Sequence, residues 1–278
     1  MTEPKRIPLA GVIGSPVAHS KSPRIFAYWL KQLGLRGHYV PMDIASGDLE
    51  AVLATLPKLG FVGVNVTIPH KEHVLNVADL VSDRAAVIGS ANTLTFREDG
   101  KLYADNTDGF GFLENLRQGA PDWNAAAGPA VVLGAGGAAR AVLSSLLEAG
   151  ATEIRLTNRT RTRAEALQRE FGTKVRVYDW VKAGNLMEGA ATIVNATSLG
   201  MVGKGEMRIP LDGMSNAATV TDLVYAPLET SLLAHANSIG ATTVDGLGML
   251  LYQAAPGFER WFNMKPEVNE GLRQAVLR

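Results

Sequence analysis

The sequence predicts an α/β fold in two domains, each built around a mostly parallel sheet. Two observations carry that prediction. Short β-rich runs alternate with helix-length stretches along the chain, the pattern left by right-handed strand–helix–strand crossovers. Midway, the small and polar stretch GAPDWNAAAGP at 119–129 interrupts the alternation and marks a boundary between two such series.

Taken in order, the first strand is expected over 9–13. Between 22 and 33, Ile25, Phe26, Trp29, Leu30 and Leu33 fall at helical spacing behind Pro23, a suitable first-turn proline, so this helix lays an apolar face on the first sheet. Strands follow at 37–41 and 63–67. Beyond the boundary they recur at 131–133, 154–157, 193–196, 220–223 and 242–244, and a helix over 139–149 is closed by Gly150. The tail from Gly246 is helical in pattern, with Met249, Leu250, Gln253 and Ala254 followed by Phe258, Trp261 and Phe262.

Composition removes several classes of function. A chain of 278 residues that is 46% hydrophobic and 19% charged is neither disordered, collagen-like nor a coiled coil. Its 27 basic and 27 acidic residues cancel, so no overall field favours nucleic acid or an anionic membrane, and a small-molecule substrate is expected. Without cysteine there is no disulfide framework, thiolate zinc site or cysteine nucleophile, and a cytoplasmic location is expected. The N-terminal run MTEPKRIPLAGVIGSP reaches prolines and glycines before any apolar core of signal-peptide length, so no export signal is expected and the mature chain should start near Met1. The longest weakly polar stretch, 125–139, contains Pro129 and four glycines and is shorter than the roughly 20 residues that span a bilayer.

The run AVVL at 130–133 followed by GAGGAAR reads as a buried strand, a glycine-rich turn and a helix start. Gly134 permits the tight turn, Gly136 lets the backbone approach a pyrophosphate, and Ala139 allows close packing of helix on strand. The helix N-terminus, with Ala135, Gly137 and Ala138 around it, offers free N–H groups and a positive dipole end to an anion. A second strand follows within the same βαβ unit, as a Rossmann-type nucleotide-binding domain requires. After that strand, where a site for NAD presents Asp or Glu, this chain has Asn158-Arg159-Thr160-Arg161-Thr162-Arg163. Planar guanidinium forks match the oxygens of an adenosine 2′-phosphate, so NADP is the expected cofactor, with Arg159 as first partner and Arg163 as second. The structural alternative is a solvated helix start in which Glu165 pairs with Arg161. Positive charge in a first turn opposes the helix dipole, and phosphate binding explains why it is tolerated.

In the first half, side chains unusual in a core concentrate in three runs: HSKSP at 19–23, VNVTIPHK at 64–71, and ANT at 91–93 with NTDG at 106–109. Strand alternation puts Asn65 and Thr67 on one face, and Ser20 with Ser22 project together if their segment is extended. Ser20, Ser22, Asn65, Thr67, Asn92 and Asp108 suit a polyhydroxylated ligand. Each also has an ordinary reading: Ser22 as an N-cap before Pro23, Asn92 and Asn106 as turn residues, Thr67 as a strand residue. Lys71 with Asp108 differs in kind, because an ammonium and a carboxylate beside a reacting carbonyl can move a proton. His70 and His73 lack the partners of a metal site and are expected at the surface, and no other cluster suggests a metal.

These runs, in this order, resemble the shikimate dehydrogenases, which reduce 3-dehydroshikimate to shikimate with NADPH. The resemblance rests on GVIGSPVAHSKSP at 11–23, GVNVTIPHK at 63–71, GSANTL at 89–94 and DNTDGFGF at 105–112, then on GAGGAAR, NRT, NATSLGM at 195–201, DLVYAP at 222–227 and DGLGMLLYQAA at 245–255. It implies an N-terminal substrate domain (1–112, with 246–278 returning to it), a Rossmann-type NADP-binding domain (113–245), and an active site in the cleft between them. Ser20, Ser22, Asn65, Thr67, Lys71, Asn92, Asp108 and Gln253 would hold the substrate, with Tyr225 close by. Lys71 and Asp108 would be the catalytic pair. Gly134, Ala135, Gly136, Gly137, Ala138, Asn158, Arg159, Thr160, Arg163, Ala196, Thr197, Ser198, Gly246 and Met249 would line the cofactor. Family members are monomers or homodimers. The loop VGKGEMR at 202–208 fits the family pattern only loosely. Two alternatives stand beside this reading: a quinate/shikimate enzyme of broader specificity, and an NADPH-binding sensor without turnover, which would not need both Lys71 and Asp108. A nucleic-acid protein does not suit the neutral charge.

Overall fold

The computed structural model describes residues 7–278; residues 1–6, which begin the N-terminal run above, lie outside them. The chain forms two compact units, Met1–Thr107 with Leu250–Arg278, and Asp108–Met249.

The first unit starts with β1 (Leu9–Gly14), α1 (Ser22–Gln32), β2 (His38–Asp43), α2 (Leu49–Thr55) and β3 (Phe61–Val66). The short α3 (Val74–Val77), β4 (Leu80–Val81) and α4 (Asp83–Ile88) lead into β5 (Thr93–Phe96) and β6 (Leu102–Asp105). The six strands lie in the order β2-β1-β3-β5-β6-β4. Pairing is parallel for β1 with β2 and β3 and for β4 with β6, and antiparallel where β5 meets β3 and β6. Neither β4, β5 nor β6 is among the expected strands. They are two to four residues long, and β5 and β6 form a hairpin that breaks the strand–helix alternation.

The second unit runs α5 (Asp108–Gly119), β7 (Ala130–Leu133), α6 (Gly137–Glu148), β8 (Ile154–Thr157), α7 (Arg161–Phe171), β9 (Val175–Tyr178), β10 (Thr192–Asn195), β11 (Thr219–Asp222), α8 (Ser231–Ser238) and β12 (Thr242–Val244). Its sheet is wholly parallel, in the order β12-β11-β10-β7-β8-β9. Numbered from β7 this is 3-2-1-4-5-6, the doubly wound nucleotide-binding order with a switch point between β7 and β10. The strands read as continuous apolar runs because both faces are covered: every residue of β7 and β10 is buried. β9, an edge strand with an exposed arginine at its second position, is a further strand the sequence pattern does not reveal.

The chain then returns through α9 (Leu247–Phe262) and α10 (Glu270–Leu277). Trp261 and Phe262 from α9 pack with Phe26, Trp29 and Phe258 in one aromatic cluster, in which Phe26 stacks on Tyr39 with ring centroids 3.8 Å apart. The Trp29 indole also donates to the Glu267 carbonyl at 2.7 Å. These aromatics bury the apolar face that the spacing of α1 predicts. The units divide at the start of α5 and within the first turn of α9, rather than at 112/113 and 245/246; α5 packs along α6, which puts its first turn in the second unit.

Candidate active site

Strand register explains why polar runs far apart in sequence meet. Asn65 on β3 pairs with Thr93 on β5, and Thr93 pairs with Asp105 on β6. Because β5 runs against its neighbours, its first residue Thr93, with Asn92 just before it, lies beside the C-terminal ends of β3 and β6, and the polar residues collect at one end of these strands. The backbone contributes at this end: Val66 N–H donates to the Asn92 carbonyl, and Ala91 N–H donates to the Lys71 carbonyl at 2.8 Å.

The side chains there form one buried network. Asn92 Oδ1 accepts from the Thr107 N–H (2.8 Å), and from the hydroxyls of Thr93 (3.0 Å) and Thr107 (3.1 Å). Its Nδ2 donates to Gln253 Oε1 on α9 at 3.1 Å. Asn65 Nδ2 donates to the Asn92 carbonyl (3.1 Å) and to Thr93 Oγ1 (3.2 Å), and the Tyr39 hydroxyl donates to Asn65 Oδ1 at 2.7 Å. Burial drives the Tyr39 hydroxyl far above the ordinary tyrosine value, an effect partly opposed by a hydrogen bond from Ser22. Buried amides and hydroxyls stay in such a place only when their hydrogen bonds are made, and the network holds them in fixed orientations.

The sequence-predicted substrate residues Asn65, Asn92 and Gln253 are therefore joined directly. Ser22 is buried in the first turn of α1 and reaches the network through Tyr39; it is not an N-cap, since Lys21 occupies that place without a side-chain bond. Ser20 Oγ accepts from the Ser22 N–H at 3.3 Å. Thr67, one residue past β3, donates its N–H to the Ile13 carbonyl and accepts from the His70 N–H, a turn that leads to the half-buried Lys71. His70 corrects the surface reading: it is 1% exposed, with Nε2 hydrogen-bonded to the Ile44 carbonyl at 2.8 Å and Nδ1 buried without a partner among the described residues. His73 is exposed and sits 3.5 Å from Glu50. Tyr39 is a contributor that residue type alone does not reveal, whereas Thr93 and Thr107 lie in the polar runs at 91–93 and 106–109. The available signal was that a buried tyrosine needs a polar partner for its hydroxyl.

Asp108 and Tyr225 belong to the second unit. Asp108 is buried at the first position of α5, where the helix dipole favours a carboxylate. Tyr225 is half-buried, and burial raises its hydroxyl above the ordinary value.

At the switch point of the second sheet, Gly134 has φ +112°, and a Cβ there would stand 2.8 Å from the Ala196 carbonyl oxygen. The turn after β7 thus lies against the Ala196-Thr197-Ser198 turn after β10. Thr197 is held there by its own N–H and hydroxyl, both donating to Asn195 Oδ1. Gly136 is the N-cap of α6, with no side-chain cap and open space where a Cβ would stand. The first N–H groups of a twelve-residue helix therefore face a cradle free of side chains, which fits a pyrophosphate.

The arginines after β8 separate by their partners. Arg161 is ion-paired with Glu165 at 2.7 Å and with Asp179, whereas among the described residues no hydrogen bond or ion pair holds the side chains of Arg159 and Arg163, both exposed. The solvated, ion-paired reading of this run therefore applies to Arg161. Asn158 Nδ2 donates to the Thr160 carbonyl at 2.9 Å and shapes the turn. Thr157 Oγ1 is buried just before it, without a partner among the described residues. Gly246 and Met249 are buried where the chain leaves β12 for α9. Among the described residues no helix is long and apolar enough to cross a membrane.

A unit with the doubly wound nucleotide-binding order, and a second unit bearing a neutral hydrogen-bonding cluster, have the make-up of a nucleotide-dependent dehydrogenase. Three family models match the chain: the shikimate dehydrogenase substrate binding domain over residues 12–94, shikimate / quinate 5-dehydrogenase over 119–221, and the shikimate 5'-dehydrogenase C-terminal domain over 246–277. The chain is 66% identical over 277 residues to a shikimate dehydrogenase (NADP(+)) of Cereibacter sphaeroides, covering 100% of this chain and 99% of that one. The solved shikimate 5-dehydrogenase of Thermus thermophilus, in complex with NADP(H) and shikimate, is 40% identical with TM-score 0.87, over 98% of this chain and 99% of that one. A quinate dehydrogenase from Corynebacterium glutamicum in complex with NAD matches with TM-score 0.91 at 30% identity, over 98% and 99%. The chain belongs to the shikimate dehydrogenase family.

Proposed function

We propose that the protein catalyses the reversible NADPH-dependent reduction of 3-dehydroshikimate to shikimate in aromatic amino acid (chorismate) biosynthesis. It would act in the cytoplasm, as a monomer or homodimer. The observation that carries this reading is the buried network joining Asn65, Asn92 and Gln253, with the Lys71 backbone tied to its margin, in a chain whose other unit has the doubly wound strand order. In this reading residues 7–107 and 250–278 form the substrate domain, and 108–249 bind the nucleotide.

Ser20, Ser22, Asn65, Thr67, Asn92, Gln253 and Tyr225 orient the substrate's hydroxyls and carboxylate. NADPH, when bound, supplies the hydride to the C3 ketone. Its pyrophosphate is held by Gly134, Ala135, Gly136, Gly137 and Ala138, and its 2′-phosphate by Arg159 and Arg163 with Asn158 and Thr160. Ala196, Thr197 and Ser198 also line the cofactor, and Gly246 and Met249 lie near its nicotinamide. Lys71 donates a proton or hydrogen bond to the C3 oxygen as negative charge develops there. Asp108 orients the Lys71 ammonium and accepts from a substrate hydroxyl.

The test is absorbance at 340 nm with shikimate or quinate, each with NADP or NAD. Rapid reduction with shikimate and NADP alone is expected. Reduction of NAD with quinate would move the protein to the quinate branch, and NADPH binding without turnover would make it a sensor.

A further inference from the structure

We propose that Tyr39 is a positioning residue of the substrate subsite: its hydroxyl locks the Asn65 carboxamide so that Asn65 presents a ligand with one hydrogen-bond acceptor and no donor. This rests on the reading of Asn65 as a substrate contact.

The polarity of the network follows from a backbone group that cannot change role. The Asn92 carbonyl only accepts, so the Asn65 atom 3.1 Å from it is the NH₂ nitrogen. Its second hydrogen goes to Thr93 Oγ1 at 3.2 Å, which uses both donors. Asn65 Oδ1 therefore faces Tyr39, which must donate across the 2.7 Å separation. A carboxamide oxygen has two lone pairs, and Tyr39 takes one. The remaining lone pair is all that Asn65 can offer, so the ligand group meeting it must itself be a donor, such as a hydroxyl. Tyr39 is fixed in turn: it is buried on β2 and stacked on Phe26 at 3.8 Å with the rings 17° apart. A hydroxyl arriving in the right place without rearrangement is what a preorganised subsite needs.

The experiment is Tyr39→Phe, which keeps the ring and its stack and removes one oxygen. Initial rates are measured against shikimate and against NADP. The expected result is a KM for shikimate raised about tenfold, with kcat within about twofold and KM for NADP unchanged. A purely structural tyrosine would not confine its loss to one substrate, so an unchanged KM for shikimate, or equal damage to both substrates, overturns the assignment. A parent protein that turns over no shikimate overturns the underlying reading and the assignment with it, which separates the two failures.

Should Tyr39→Phe fail to fold, the parent protein is labelled with 3-fluorotyrosine and read by ¹⁹F NMR. The chain has six tyrosines, so Tyr39 is assigned by elimination using Phe variants of the other five. Its resonance should shift on adding shikimate and stay in place on adding NADP. A Tyr39 signal indifferent to shikimate overturns the proposal.

Discussion

Among the described residues Arg159 and Arg163 have no side-chain partner while Arg161 between them is neutralised by Glu165 and Asp179, and that contrast sets what each should do when removed. A charge-assisted bond to a phosphate is worth about 1.5–3 kcal/mol, so Arg159→Ala should raise the KM for NADP by roughly 10- to 100-fold. Rates with NAD, which has no 2′-phosphate, should not change, whereas Arg161→Ala should leave NADP use nearly intact. Steady-state rates with both nucleotides decide this, and an Arg159 variant with normal NADP kinetics would remove it from the site. Lys71→Ala should lower kcat by about 10²–10⁴ with little change in the KM for shikimate, because proton donation matters most as the C3 oxygen gains charge. A near-normal kcat would remove Lys71 from that role. Lys71, Asn65 and Asn92 are legible in the sequence because polar side chains stand out in β-rich runs. Tyr39 is not, since it also reads as an ordinary strand residue. His70 reads as surface because a histidine beside a lysine gives no sign that the Thr67–His70 turn folds its ring under the Ile44 carbonyl.

The strand–turn–helix around Gly134 is the part of the fold most fully written in the sequence, because strand, turn and helix obey local rules that agree with one another. Its constraint is also local: φ of +112° excludes a side chain, and the Ala196 carbonyl fills the space a Cβ would take. Gly134→Ala should therefore cost about 1–3 kcal/mol of stability and weaken NADP binding by displacing the turn. Thermal melting and nucleotide titration check the two effects, and an Ala variant with the parent's melting temperature and affinity would contradict the geometry. The β5–β6 hairpin is the opposite case. Nothing local announces TLTF or LYAD as strands, and their place is set by pairing with β3, a relationship of position that periodicity does not encode. Yet this hairpin aligns Asn65, Thr93 and Asp105, so the gathering of the site became visible only through the element the sequence concealed. Parallel strands with helical crossovers were legible because their alternation repeats; a single antiparallel insertion has no period to detect.

The chain leaves its first unit at Thr107 and returns at Leu250, so that unit must hold together segments from both ends of the sequence. The aromatic cluster supplies the apolar part of that closure, and Asp105 supplies the polar part. Its side chain is fully buried and accepts from Ser82 Oγ at 2.7 Å, Arg84 at 2.9 Å and Arg260 of α9 at 2.6 Å, the last from 155 residues away. It also accepts from the Asn106 N–H at 2.8 Å, at the start of the segment that carries Thr107 into the Asn92 network. Burial alone would raise this carboxyl, but the bonds from Ser82 and Arg260 and the charges of Arg84 and Arg260 outweigh it and hold it below the ordinary value. An acid whose folded value is depressed contributes stability that is complete above its unfolded value, about 3.9, and is lost as pH falls through the folded one. Asp105→Asn should therefore lower stability by about 3 kcal/mol at pH 7, the low end for breaking a buried pair because both arginines are partly exposed. Below pH 4 the gap between parent and variant should close, as the parent's own carboxyl takes up its proton. Urea unfolding of both proteins at neutral and acid pH measures the gap directly. A gap of equal size at both would mean that the Asp105 charge does no more than its shape in joining the two ends of the chain.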